Sequence, residues 1–118
     1  MSQITTHILD TTSGKPAKGV SVSLFEEVHS LPGTETIWRE IAIGTTDNEG
    51  RIMTFLSKGT LLAHAIYKMR FDTKEYFERQ ALQSFYPFIE ITFIITTDEH
   101  YHVPLLLNPF GYSTYRGT

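Results

Sequence analysis

Phe88-Ile89-Glu90-Ile91-Thr92-Phe93-Ile94-Ile95-Thr96 and His100-Tyr101-His102-Val103-Pro104-Leu105-Leu106-Leu107 decide the fold class of this chain. In the first stretch Ile89, Ile91, Phe93 and Ile95 fall on one side, with Glu90, Thr92 and Thr96 on the other. That two-residue period marks a strand with one buried face. In the second, Tyr101, Val103, Leu105 and Leu107 make a uniformly large apolar face that belongs in a core. His100, His102, Pro104 and Leu106 share the opposite face. A face mixing His, Pro and Leu is too apolar for open water, which predicts burial against another subunit with the imidazole in a partly dry cleft.

Working outward, short strands are predicted at residues 4–10, around Val20, Val22 and Leu24, around Ile37, Ile41 and Ile43, and at 51–56 and 61–67. Turn residues separate them, among them Thr11-Thr12-Ser13-Gly14-Lys15-Pro16 and Asp47-Asn48-Glu49-Gly50. In the first strand Thr5, His7 and Leu9 share a face. Residues 72–83 read instead as a helix. Asp72 or Thr73 can cap it, Glu75 completes a capping box, and Lys74/Glu78 and Glu75/Arg79 stand four apart. Tyr76 and Phe77 would anchor this helix to a sheet. About seven or eight strands with one short helix predict an all-β, two-sheet antiparallel β-sandwich. A length of 118 residues fits a single domain, 1–118, with a core of its own.

Composition narrows the function classes. A net charge of −3 and a pI near 5.9 leave no basic footprint, which argues against nucleic acid as partner. The chain has no cysteine, so disulfides, thiolate nucleophiles and Cys-based zinc sites drop out. No run approaches membrane-spanning length, and Met1-Ser2-Gln3-Ile4-Thr5-Thr6-His7 does not read as a signal peptide. The ending Arg116-Gly117-Thr118 is no peroxisomal signal. A cytoplasmic protein is expected.

The chemistry-bearing residues are few. Pairing of His100 and His102 on one strand face permits a zinc site, with His7 as a third ligand, but no further ligand stands at a diagnostic spacing. His29 and His64 read as incidental, and a lone Arg51 after a turn reads first as a solvated strand end. Nucleophile elbow, phosphate loop and dinucleotide fingerprint are all lacking. Glu26/Glu27 and Asp98/Glu99 read as solvated strand ends and turns. The tail, Tyr115-Arg116-Gly117-Thr118, carries an aromatic hydroxyl and a guanidinium just after the His-x-His strand, and so reads as part of a site.

Several segments resemble the 5-hydroxyisourate hydrolase family, transthyretin-related enzymes of urate breakdown. They are Thr5-Thr6-His7-Ile8-Leu9-Asp10 with Thr11-Thr12-Ser13-Gly14-Lys15-Pro16-Ala17, then Thr46-Asp47-Asn48-Glu49-Gly50-Arg51, Phe71-Asp72-Thr73, Phe85-Tyr86-Pro87 and the whole stretch from His100 to Thr118. Two departures are visible: Thr118 where the family usually ends in Ser, and Asn108-Pro109-Phe110 where Ser-Pro-Tyr is common. Thr118 keeps a hydroxyl and a carboxylate.

The resemblance implies a transthyretin-like sandwich with His7, Arg51 and His102 as the catalytic trio, and Tyr115, Arg116, Gly117 and Thr118 as the substrate-binding wall. His100 matches the pattern as a flank. It further implies no cofactor and no metal, and a homotetramer with sites at the dimer–dimer interface. The implied reaction adds water to a ring carbonyl of 5-hydroxyisourate and opens the C6–N1 bond, giving 2-oxo-4-hydroxy-4-carboxy-5-ureidoimidazoline. Transthyretin itself, a hormone carrier, is similar in fold but lacks this His/Arg/His set. The non-catalytic alternative is such a small-molecule carrier.

Overall fold

In a computed structural model the chain is described over residues 2–28 and 32–118. His29 lies outside the described residues. The strands are β1 (Ile4–Asp10), β2 (Lys15–Pro16), β3 (Ser21–Val28), β4 (Ile37–Thr45), β5 (Arg51–Ile52), β6 (Ile66–Phe71), β7 (Ile89–Ile94), β8 (Tyr101–Asn108) and β9 (Gly111–Thr114), with one helix, α1 (Thr73–Glu78). One sheet runs β2-β1-β8-β9, with β5 also on β1, and the other runs β4-β3-β6-β7. The fold is the expected two-sheet sandwich with one short helix. It departs from pure antiparallel pairing at its centre, where β1 and β8 are parallel.

Alternation puts the core between the sheets. Ile4 and Ile8 of β1 and Tyr101, Val103, Leu105 and Leu107 of β8 meet Val22, Leu24, Tyr67, Met69, Phe71 and Ile89 from the facing sheet. Burying side chains of this kind stabilises by about 1.5–3 kcal/mol each. Tyr76 and Phe77 anchor α1 as predicted, and the Tyr76 hydroxyl donates to the buried Asp10 carboxylate at 2.8 Å. No helix among the described residues is long and apolar enough to cross a membrane.

Four local expectations are corrected. The strand expected at 61–67 starts at Ile66 and runs to Phe71, because Tyr67, Met69 and Phe71 supply the inward face that pairs with β3 and β7. The strand expected at 51–56 ends at Ile52; Phe55 and Leu56 enter the core from irregular backbone. In β4, Ile43 is 68% exposed, because Ala42 and Gly44 take the inner positions opposite Leu24 and Val22 before the register slips between Leu24 and Phe25; Ile37, at the far end of the strand opposite Val28, is 57% exposed. The helix predicted over 72–83 stops at Glu78, without a side-chain cap. The Asp72 carboxylate accepts from Arg70 instead, and Arg79 donates to the Gly19 carbonyl rather than pairing with Glu75. The chain then leaves through Ala81 at φ 56°, where the Leu82 N–H bonds the Phe77 carbonyl to close the helix end.

Candidate active site

Three strands of one sheet converge on its outer face. The turn Asp47-Asn48-Glu49-Gly50 comes first, because it sets where Arg51 stands. The Asp47 carboxylate accepts the backbone N–H of Glu49 at 2.8 Å and of Arg51 at 3.0 Å, and the Gly50 carbonyl accepts from Ile8 at 2.8 Å. Gly50 sits at φ +72°, and a Cβ there would lie 2.5 Å from the Ile8 carbonyl oxygen, so only glycine lets the turn close on β1. Closed this way, β5 sets Arg51 directly opposite His7 in an antiparallel pair.

The other edge of β1 brings His102. In the parallel ladder Thr5 stands opposite His102, and His7 opposite Pro104. Thr5 is fully buried, and its hydroxyl lies 2.8 Å from His102 Nδ1 and 2.8 Å from His100 Nε2. Both His7 and His102 are half-buried. Burial first, then the Arg51 guanidinium, holds the His7 pKa below its ordinary value of 6.5. Burial, then the neighbouring charges of His100, His7 and Arg51, does the same for His102. Both rings are thereby biased to the neutral, basic form. Arg51 has its own deficit: its Nε is buried without a hydrogen-bond partner, the nearest Glu49 oxygen being 3.8 Å away.

The tail prolongs β9 along β8. The Gly117 N–H donates to the His102 carbonyl at 2.9 Å, in the register of the Leu105↔Thr114 pair. Between these two pairings lies Pro104, which has no N–H to give, and the Thr114 hydroxyl donates to its carbonyl at 2.7 Å instead. A Cβ on Gly117 would come within 2.6 Å of His102 Cδ2, so the bare backbone packs on the imidazole edge.

Alternation places Tyr115 and Gly117 on the His102 side and Arg116 on the reverse. The Arg116 guanidinium lies 4.5 Å from the Tyr101 ring centroid and donates to Glu99 at 2.6 Å. There it borders a cleft of about 450 Å³ whose lining includes Ile91, Phe93 and Val103 and reaches His102 and Tyr115. The structure therefore gathers His7, Arg51, His102 and Gly117. Tyr115 and Thr118 are exposed beside them, and Arg116 is turned away as a tail clamp. Among the described residues no three His, Cys, Asp or Glu side chains are grouped to hold a metal ion. The residue that sequence reasoning passed over is Thr5. Its parity with His7 was visible, but its bonds to two histidines depend on the β1–β8 register.

Residues 4–117 match the model of the HIUase/Transthyretin family. A 5-hydroxyisourate hydrolase of Salmonella typhimurium is 42% identical over 116 residues, covering 98% of this chain and 80% of the relative. Among solved structures, 5-hydroxyisourate hydrolase of Klebsiella pneumoniae is similar with a TM-score of 0.79 and 36% identity, covering 98% of both chains. Sea bream transthyretin in complex with thyroxine is similar with a TM-score of 0.86 and 29% identity, covering 99% of this chain and 96% of its own.

Proposed function

Because the chain belongs to the HIUase/Transthyretin family and is a hydrolase of its hydroxyisourate branch, we propose that His7, Arg51 and His102 open 5-hydroxyisourate by adding water to a ring carbonyl. The observation that carries this reading is the Arg51 guanidinium, set opposite His7 in the β1–β5 pair and acting on two neutral-biased imidazoles. The Arg51 side chain is 41% exposed, which leaves guanidinium N–H groups for a substrate carbonyl or its developing oxyanion.

One imidazole takes the proton of the attacking water as oxygen bonds to the ring carbonyl, help worth about 100- to 10,000-fold. Arg51 then holds the negative oxygen through forked N–H bonds. Collapse breaks the C6–N1 bond, the ring nitrogen takes back the proton, and 2-oxo-4-hydroxy-4-carboxy-5-ureidoimidazoline leaves. Tyr115, Gly117 and Thr118 wall the pocket, and Arg116 acts through the tail it pins. In this reading no metal or cofactor takes part, and the enzyme works in the cytoplasm as a homotetramer with sites at the dimer–dimer interface. The outward face of His102, Leu106 and Tyr115 supports that assembly, Tyr115 being 60% exposed on the single chain.

A carrier reading has one observation in its favour, the higher TM-score to transthyretin. Backbone likeness reports the scaffold, whereas function resides in the side chains set on it. Generating hydroxyisourate with urate oxidase and following its ultraviolet decay separates the two readings. Decay accelerated in proportion to added protein is the expected result; decay at the spontaneous rate with folded protein present would favour the carrier. Activity that survives exhaustive chelation is expected as well, and its loss would restore the zinc reading.

A further inference from the structure

The Thr5 hydroxyl, fully buried, stands 2.8 Å from a ring nitrogen of each of His100 and His102. A hydroxyl owns one proton, so it donates to one ring and accepts an N–H from the other. Two neutral arrangements satisfy all three groups. In one, His100 donates to Thr5 and Thr5 to Nδ1 of His102, which puts the His102 proton on Nε2. In the other, His102 Nδ1–H donates to Thr5 and Thr5 donates to His100 Nε2, which leaves a lone pair on His102 Nε2.

The surroundings choose between them. Thr5 occupies the Nδ1 side of the His102 ring and Gly117 the Cδ2 edge, so Nε2 at the tip is the ring nitrogen left free on the outer face. Arg51 is the fixed cation acting on His102, while the Asp47 and Glu49 carboxylates act on His7. A guanidinium field favours a lone pair over an N–H dipole. His100 is exposed, and water satisfies the Nδ1–H that the second arrangement requires of it.

We infer that Thr5 and His100 are positioning residues that hold His102 in the Nδ1–H form and keep its Nε2 free to accept a proton. The consequence for turnover rests on the hydrolase reading, whereas the tautomer belongs to the free protein. When Nε2 takes a proton from water, the imidazolium keeps the Thr5 oxygen as acceptor for its second N–H. The charge thus forms without rearranging the network.

The test is ¹⁵N nuclear magnetic resonance of the His102 ring in the substrate-free protein, above the histidine titration. The wild type is expected to show a protonated Nδ1 and a bare Nε2. Thr5→Val, of equal shape, should move most of the population to Nε2–H, and Thr5→Ser should restore the wild-type pattern. Should Thr5→Val fold poorly, His100→Leu on the exposed side serves, since it frees the Thr5 proton for His102 Nδ1 and should shift the tautomer the same way. In hydroxyisourate decay, Thr5→Val should lower kcat on the order of 100-fold, within the range of general-base help, with KM nearly unchanged. Thr5→Ser should recover most of it. A wild-type ring protonated at Nε2, a tautomer unmoved by both Thr5→Val and His100→Leu, or Thr5→Ser behaving like Thr5→Val would overturn the inference. The expected spectra in a protein without turnover would support the tautomer assignment and remove the hydrolase reading instead.

Discussion

The His102 imidazole is gripped on two edges, through Nδ1 by Thr5 and at Cδ2 by the bare backbone of Gly117. His102→Asn keeps a polar group near Thr5 and deletes Nε2. It should cost about 100- to 10,000-fold in kcat, the range of general-base help, while the melting temperature stays near wild type. Undiminished kcat would refute a role for the ring in catalysis. The pH dependence follows from the neutral bias of both rings. The neutral form accepts protons, so kcat/KM should be flat through neutral pH and fall only as pH drops through a midpoint below 6.5. In Arg51→Met the His7 titration, followed by proton magnetic resonance, should move up, because the Arg51 guanidinium is, after burial, the second cause holding it down. The outward parity of His7 and His102 was legible at this scale, since it needs only the two-residue period of a strand. Thr5 as the partner of His102 was not, because that contact joins residues 97 positions apart.

Among the elements, one of the two shortest carries the most consequence. β5 spans only Arg51–Ile52, and its place depends on Gly50 at φ +72° against the Ile8 carbonyl. Gly50→Ala should therefore destabilise by about 1–3 kcal/mol from backbone strain alone, read by denaturant unfolding, and should lower activity by displacing Arg51. The sequence predicted a longer strand here because Phe55 and Leu56 are apolar. Apolar residues seek the core with or without a ladder, so hydrophobicity overstated the strand. The tail behaves in the opposite way. Tyr115, Arg116 and Thr118 are exposed, and the contacts holding the segment are the Gly117 bond to β8 and the Arg116 clamp on Glu99 and Tyr101. Deleting residues 115–118 should lower the melting temperature by only about 5 °C, as for roughly 1 kcal/mol in a domain of this size, while removing most turnover. Turnover unaffected by that deletion would take the tail out of the pocket.

For the whole molecule, the outer face of β1, β8 and the tail is the surface on which the proposed assembly would close. Leu106 is half-buried there on the single chain, beside exposed Tyr115. If two dimers meet on this face, Leu106→Glu should yield folded dimers by light scattering and lose activity together with the tetramer. A tetramer that survives the charge would place the contact elsewhere. The amino-acid sequence by itself determined that strands dominate, which side chains share a face on each, and that β8 turns Tyr101, Val103, Leu105 and Leu107 inward while His102 faces out. Those properties are local, following from a two-residue period and turn chemistry. Tertiary structure alone decided that β1 and β8 run parallel with Thr5 opposite His102, that a closed glycine turn sets Arg51 against His7, and that Arg116 points away from them. Each is a pairing between distant segments, fixed by how two sheets exclude water from a shared core, and no period within a single strand encodes it.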